Sequence, residues 1–197
     1  MKRGVIPAVP PCVKLFQRGN EMNTTMAGAR GETKAAGRAL STEPGSGRAW
    51  WFLGTLAVLR NPDGAPRTPT IIELTIPSGG SPPLHVHKNL DDSFLLLDGE
   101  IAVRCGDQRI VAHPGSYVVL PAGVEHTFRV ISAGPARMLL VHAADDFLGF
   151  IEAVGTPTQA LTLPPAGMYD LNREELIRIG AEHDLSIVGP PLEVSAT

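Results

Sequence analysis

Three histidines carry the first chemical signal in this chain. His85 and His87 stand two residues apart in the run Leu84-His85-Val86-His87. Side chains on a β-strand alternate between faces with a period of two, so both imidazoles leave the same side. Imidazole suits Zn, Fe, Ni and Cu, and two on one face begin a metal site. His126 follows the turn signal Pro121-Ala-Gly123, on a run in which His126, Phe128 and Val130 share a face. Phe128 and Val130 must point into a core, so His126 is expected to point inward with them. Three converging imidazoles leave coordination positions open, as catalytic metal sites do and structural ones do not.

Short strands must position these rings. Trp51 to Leu59 reads as one strand, closed by Asn61-Pro-Asp-Gly64. Thr68 to Pro77 is next, with Ile72, Leu74 and Ile76 alternating against Glu73 and Thr75. Gly79, Gly80, Pro82 and Pro83 break the sheet before the histidines. Phe94-Leu-Leu-Leu97 and Glu100 to Cys105 flank Asp98-Gly99, a strong hairpin signal. Arg109 to Ala112, Tyr117 to Leu120, His126 to Ile131 and Ala136 to His142 complete the series, separated by Gly and Pro turns. Such spacing predicts an all-β sandwich or barrel, and no helix between neighbouring strands argues for a parallel sheet. Two helices follow. Asp145 to Val154 carries the stripe Phe147, Phe150, Ile151 and Val154. Leu171 to His183 opens on Asn172 and Glu175, a capping-box pair, with Leu176 and Ile179 inward and Ile177 a further candidate. Gly189-Pro-Pro191 is expected to end the ordered part. Composition predicts a disordered N-terminal tail at 1–47, a barrel at 48–143, and C-terminal helices and tail at 144–197.

The whole chain has 197 residues, is 43% hydrophobic and 19% charged, and carries a net charge of -3. One domain with a sizeable core fits that length. Near-neutral charge gives no pull toward nucleic acid or anionic membrane. The longest apolar stretch, Trp50 to Leu59, is about half of what spans a bilayer, so no membrane partner is expected. Cys12 and Cys105 form no CxxC, and prolines at 7, 10 and 11 interrupt the only early apolar run. These features predict a cytoplasmic protein without a disulfide framework.

Residues 50 to 143 resemble the cupins, by two motifs in the right order. The first is Gly79 or Gly80, His85, His87, Asp92 and Gly99, at the family's spacing from His85 onward. The second is Gly115, Pro121, Gly123 and His126, with Val130 where the family has Asn. The trailing helices resemble those of small single-domain, quercetin-dioxygenase-like cupins. The resemblance implies a double-stranded β-helix (jelly-roll) barrel and a divalent metal held by His85, His87, His126 and Asp92. Asp92 occupies the family's Glu slot and is one methylene shorter. It either ligates directly, bonds a metal-bound water, or orients a His from behind. Acid/base work is a further role for it. Asp91 competes for that place, but parity lets only one of the two face inward.

Fe(II) is the first expectation for the metal, with Ni, Mn, Zn and Co as alternatives. Phe94, Leu96, Phe128 and Met138 are expected to line an apolar pocket, with Leu140 and His142 on the same face and the Phe147/Phe150 helix across the mouth. That pocket suits a small phenolic or diketone-like substrate, with O2 as co-substrate of a dioxygenase. The alternatives are a non-redox isomerase or cyclase and a metal-free barrel that only binds a small molecule. His113 is expected as a solvated loop residue, His142 as core or rim, His183 as a helix-end residue, and Cys105 as a small buried hydrophobe. The doubly apolar runs Leu95 to Leu97 and Val118 to Leu120 predict coverage of both faces, with a homodimer as the expected oligomer.

Overall fold

Alternating apolar positions pair into two antiparallel sheets. The computed structural model describes residues 39–65, 69–143, 146–168 and 172–193. The strands are β1 (Ala49–Phe52), β2 (Thr55–Leu59), β3 (Thr70–Ile76), β4 (Pro83–His87), β5 (Asp92–Asp98), β6 (Ile101–Cys105), β7 (Gln108–Ala112), β8 (Tyr117–Leu120), β9 (His126–Val130), β10 (Ala136–His142), β11 (Thr156–Thr158) and β12 (Leu185–Pro191), with helices α1 (Asp146–Val154) and α2 (Arg173–Glu182). One sheet runs β11-β1-β2-β3-β10-β5-β8 and the other β12-β4-β9-β6-β7. Inward positions at every second residue build the shared core. Ile72 and Ile76 of β3, Phe94 and Leu96 of β5, Ile101 of β6, Val130 of β9 and Met138 of β10 are almost wholly buried there. None of the helices among the described residues is long and apolar enough to cross a membrane.

Three local expectations need correction. The run from Trp51 to Leu59 is two strands, because Leu53 and Gly54 form a two-residue turn between Phe52 and Thr55. Both turn residues have positive φ, 47° and 79°. A leucine rarely takes that conformation, so the turn carried no sequence signal. The second correction concerns Asp98-Gly99. It does not close a hairpin, since β5 and β6 belong to different sheets. Gly99 has φ of 80° and packs so closely on β10 that a Cβ would stand 2.8 Å from the Ala136 Cα. The dipeptide marks a corner between sheets.

The third correction is at the C-terminal end. The segment containing Gly189-Pro-Pro191 does not end the order; it is β12, paired with β4 through Leu185–His87, Ile187–His85 and Gly189–Leu84. Proline is tolerated on an edge strand and at bulges, and β12 is both an edge and irregular after Ile187. β12 therefore covers the outer backbone edge of the histidine strand. β11 similarly extends the other sheet beside β1.

Helix α1 buries Phe150, Ile151 and Val154. Asn172 Oδ1 accepts a hydrogen bond from Glu174 N at 2.9 Å and caps α2, which buries Leu176 and Ile179. Ile177 is on the solvent side, 39% exposed. The expected element ends Thr68, Asp145 and Leu171 lie outside the described residues, as does the tail over 1–38. Within the rest of the expected tail, the Arg60 guanidinium donates to Ser46 O at 2.7 Å and holds the turn at 43–47 against β2.

Candidate metal centre

Two strands supply the three imidazoles. β4 and β9 pair with His85 directly opposite His126, and His87 lies two residues along β4 on the same face. The His85 and His126 ring centroids are 4.5 Å apart; His87 and His126 are stacked at 5.5 Å. All three residues are buried, at 8%, 3% and 1% exposure. Asp92 enters from the other sheet, as the first residue of β5.

Backbone carbonyls fix which nitrogen faces the centre. A carbonyl oxygen only accepts, so His85 Nδ1–H donates to Pro83 O at 2.7 Å and His126 Nδ1–H donates to Val124 O at 2.9 Å. In a neutral ring the lone pair is then on Nε2. The Nε2 atoms of His87 and His126 are buried without a hydrogen-bond partner. Buried polar atoms are normally satisfied, so two such nitrogens facing one point call for a ligand.

One donor atom from each of His85, His87, Asp92 and His126 lies within 4.8 Å of the others. Donors bonded to one ion at about 2.1 Å are at most about 4.2 Å apart, so these side chains already stand near that spread. Burial strips solvent from His85 and His87 and lowers both from 6.5 to about 4, so both are neutral at neutral pH. Burial pushes the Asp92 carboxyl up, but the hydrogen bond from His142 and the nearby imidazoles override it and bring it down to about 2. Three imidazoles and one carboxylate, with no partner for two of the nitrogens, fit a divalent cation.

Asp92 faces inward and Asp91 outward. Asp91 is exposed, and its Oδ1 accepts from Ala122 N at 2.8 Å, capping the turn before β9. Asp92 Oδ2 is 3.7 Å from His126 Nε2, while Oδ1 is 2.9 Å from His142 Nε2. His142, expected as core or rim, is 1% exposed and touches the carboxylate of the centre.

A cavity of about 300 Å³ opens beside these groups, with His85 and Asp92 in its wall. The six residues expected around a pocket divide. Phe128 and Leu140 line the cavity. Phe94, Leu96 and Met138 lie in the packed core beneath, each at 0% exposure, and His142 lies behind Asp92. The remaining wall includes Phe52, Leu53, Leu74, Ile76, Leu176 and Phe147 and the Pro/Gly segment before β4, with Thr55 and Ser81 among the few polar contributors and no Arg or Lys among the described lining residues. Phe147 of α1 stands edge-on to His87 at 5.5 Å and to His142 at 5.2 Å. Phe52 and Leu53 were not expected here. Their only sequence signal was the apolar run that hides the β1–β2 turn.

The other singled-out residues lie apart. The His113 side chain is 61% exposed, 3.2 Å from Glu100 Oε1. His183 is at the C-cap of α2, 6.0 Å from Phe150 by ring centroids. Cys105 packs against the core, and burial raises its thiol pKa.

Residues 72–142 match the family described as "Cupin domain". The chain is 26% identical over 121 residues to a curated protein of Bacillus subtilis (strain 168), "Quercetin 2,3-dioxygenase", covering 60% of this chain and 36% of that one. It thus spans about a third of that relative's length. Among solved structures, "The structure of KdgF from Halomonas sp." aligns with TM-score 0.47 and 13% identity over 56% of this chain and 99% of that chain. The "Schizosaccharomyces pombe Cnp3 Cupin Domain" aligns with TM-score 0.42 and 16% identity over 52% and 70%. Both motifs are folded into two facing sheets around one buried histidine cluster, and residues 72–142 are a cupin domain.

Proposed function

We propose that this chain is a metal-dependent cupin enzyme, a dioxygenase acting on a small phenolic or diketone-like molecule. One observation carries the reading: His85 and Asp92, two of four clustered donors, stand in the wall of an otherwise mainly apolar cavity. Such a cavity favours a flat apolar body with one oxygen-bearing end. The printed name of the Bacillus subtilis relative, over the part it shares with this chain, agrees with that substrate class.

The chain's own residues have definite tasks in this reading. His85, His87 and His126 would hold the ion through Nε2, with Asp92 Oδ2 as the fourth donor. A bound ion would supply a cationic centre for a substrate oxygen and, if redox-active like Fe(II), electron exchange with O2. Leu74, Phe128, Leu140 and Phe147 would clamp the apolar part of the substrate and exclude water. Asp92, ionised down to about pH 2, would bring the one negative charge to a centre of otherwise neutral imidazole donors.

The test is oxygen uptake by protein purified without chelators and loaded with Fe(II), Ni(II), Mn(II) or Co(II), given a flavonol or a β-diketone. Uptake that disappears in His85→Ala supports the reading. No uptake with any of these ions sinks it, and turnover under argon with Zn(II) or Mn(II) would replace it with isomerase or cyclase chemistry.

A homodimer accompanies this proposal. Tyr117 and Val119 of β8 and Leu97 of β5 are 60%, 50% and 36% exposed on the outer side of the larger sheet. A second copy would cover them, and sedimentation of Val119→Glu against the parent chain tests it.

A further inference from the structure

Asp92 has two oxygens in two different environments. Oδ2 is on the imidazole side, 3.7 Å from His126 Nε2. Oδ1 is occupied by His142 Nε2 at 2.9 Å. Strand register produces that contact. Leu140 of β10 pairs with Phe94 of β5, and two residues further along each strand stand His142 and Asp92. Between them, Ser93 Oγ donates to Val141 O at 2.7 Å and ties the two strands. The His142 ring is 1% exposed, packed edge-on against Phe147 at 5.2 Å. Its second nitrogen, Nδ1, is buried without a partner. A carboxylate oxygen accepts, so Nε2 is the protonated nitrogen. Buried acceptors go unpaired more readily than buried N–H groups, which suits a bare Nδ1.

We infer that His142 is a positioning residue for the metal centre. Its Nε2–H engages Asp92 Oδ1, so that Asp92 presents a single oxygen, Oδ2, toward His85, His87 and His126. The inference rests on the metal-binding reading of those four residues. It also accounts for an Asp at this place. A short carboxylate that is free to rotate offers either oxygen or both; a carboxylate pinned at one oxygen has its plane fixed. No other described side chain is hydrogen-bonded to Asp92 Oδ1.

The experiment is a Co(II) titration of the full chain, read by the visible absorption of the bound ion, for the wild type, His142→Leu and His142→Gln. The Leu variant removes the donor, and the Gln variant offers an amide N–H in its place. Loss of a partner that supports a metal ligand typically weakens metal binding about 10- to 100-fold. That loss and a changed spectrum are expected for His142→Leu, with affinity and spectrum restored toward wild type in His142→Gln. Unchanged affinity and spectrum in His142→Leu overturn the role, and so does a Gln variant as impaired as the Leu variant. Failure of the wild type to bind Co(II) overturns the metal reading itself and is thereby distinguished. Should His142→Leu not fold, imidazole 1H–15N correlation spectra of the Zn(II)-loaded wild type decide the matter. A proton on His142 Nε2 is expected, and a bare Nε2 overturns the inference.

Discussion

His85 and His126 are directly opposite each other on the β4–β9 ladder, with Nδ1 of each ring tied to a carbonyl two residues earlier. The rings are thus oriented by backbone on both strands before any ion binds. Removing one should abolish tight binding and leave the sheets intact. His126→Ala is expected to lose stoichiometric metal in elemental analysis, with affinity falling by more than the roughly 100-fold that loss of a supporting partner costs. Far-ultraviolet circular dichroism should stay unchanged. Metal content equal to the parent's would remove His126 from the centre.

Acid should destabilise the protein after chelator treatment. In the unfolded chain His85 and His87 take up protons below about pH 6.5; in the fold, burial delays that to about 4. Between those values the unfolded state holds more protons, so stability falls as pH falls. Asp92 acts in the same direction lower down. Its contribution is present above 3.8 and lost as pH drops toward 2. The Tm of chelator-treated protein is expected to decline from pH 7 to 4, and more gently in His87→Gln. A flat profile over that range would contradict the buried, neutral state of these rings.

Phe147 joins the helical layer to the site. It lines the cavity and meets Phe52 at 6.2 Å, Phe150 at 6.0 Å and His87 at 5.5 Å. Fully buried Phe→Ala changes cost about 3–5 kcal/mol, and Phe147 is half-buried, so Phe147→Ala should cost about 2 kcal/mol in urea unfolding. For an apolar substrate KM should rise more than kcat falls. Wild-type stability together with wild-type KM would mean that α1 does not cover the site.

Glu73 is the charged exception on β3. It is 9% exposed, and its two oxygens each take paired hydrogen bonds from a different arginine. Arg60 reaches Oε2 at 2.9 and 2.7 Å, and Arg137 reaches Oε1 at 3.1 and 2.7 Å. Burial acts to raise its pKa, but the bonds from Arg137 and Arg60 prevail and lower it from 4.5. Glu73→Gln leaves two guanidinium groups short of a carboxylate and should cost about 1–3 kcal/mol. Arg137→Ala should cost less, since that side chain is 48% exposed. Equal unfolding midpoints for parent and Glu73→Gln would show the triad to be energetically silent.

Period-two alternation foretold β3, β6, β9 and β10 nearly to the residue, because each buries one face. The His-x-His spacing and the inward face of β9 foretold that the imidazoles meet. What escaped notice had a different cause each time. The Leu53 turn runs against leucine's own backbone preference and is held by packing. β12 was hidden by prolines that only an edge strand tolerates. The His142–Asp92 contact depends on the register between β5 and β10, which no local pattern encodes. Pocket lining depends on depth as well as face. Phe94, Leu96 and Met138 point inward as expected, yet they lie below the cavity floor, in the closed core.

The pairing of β12 with β4 bears on how the protein is made. A ribosome delivers His85 and His87 early and their covering strand late, after both helices. Until then the β4 backbone is open to any passing extended peptide. Shielding of the histidine strand therefore waits for the segment beyond both helices, and a nascent chain halted before Leu185 leaves that flank of β4 unpaired.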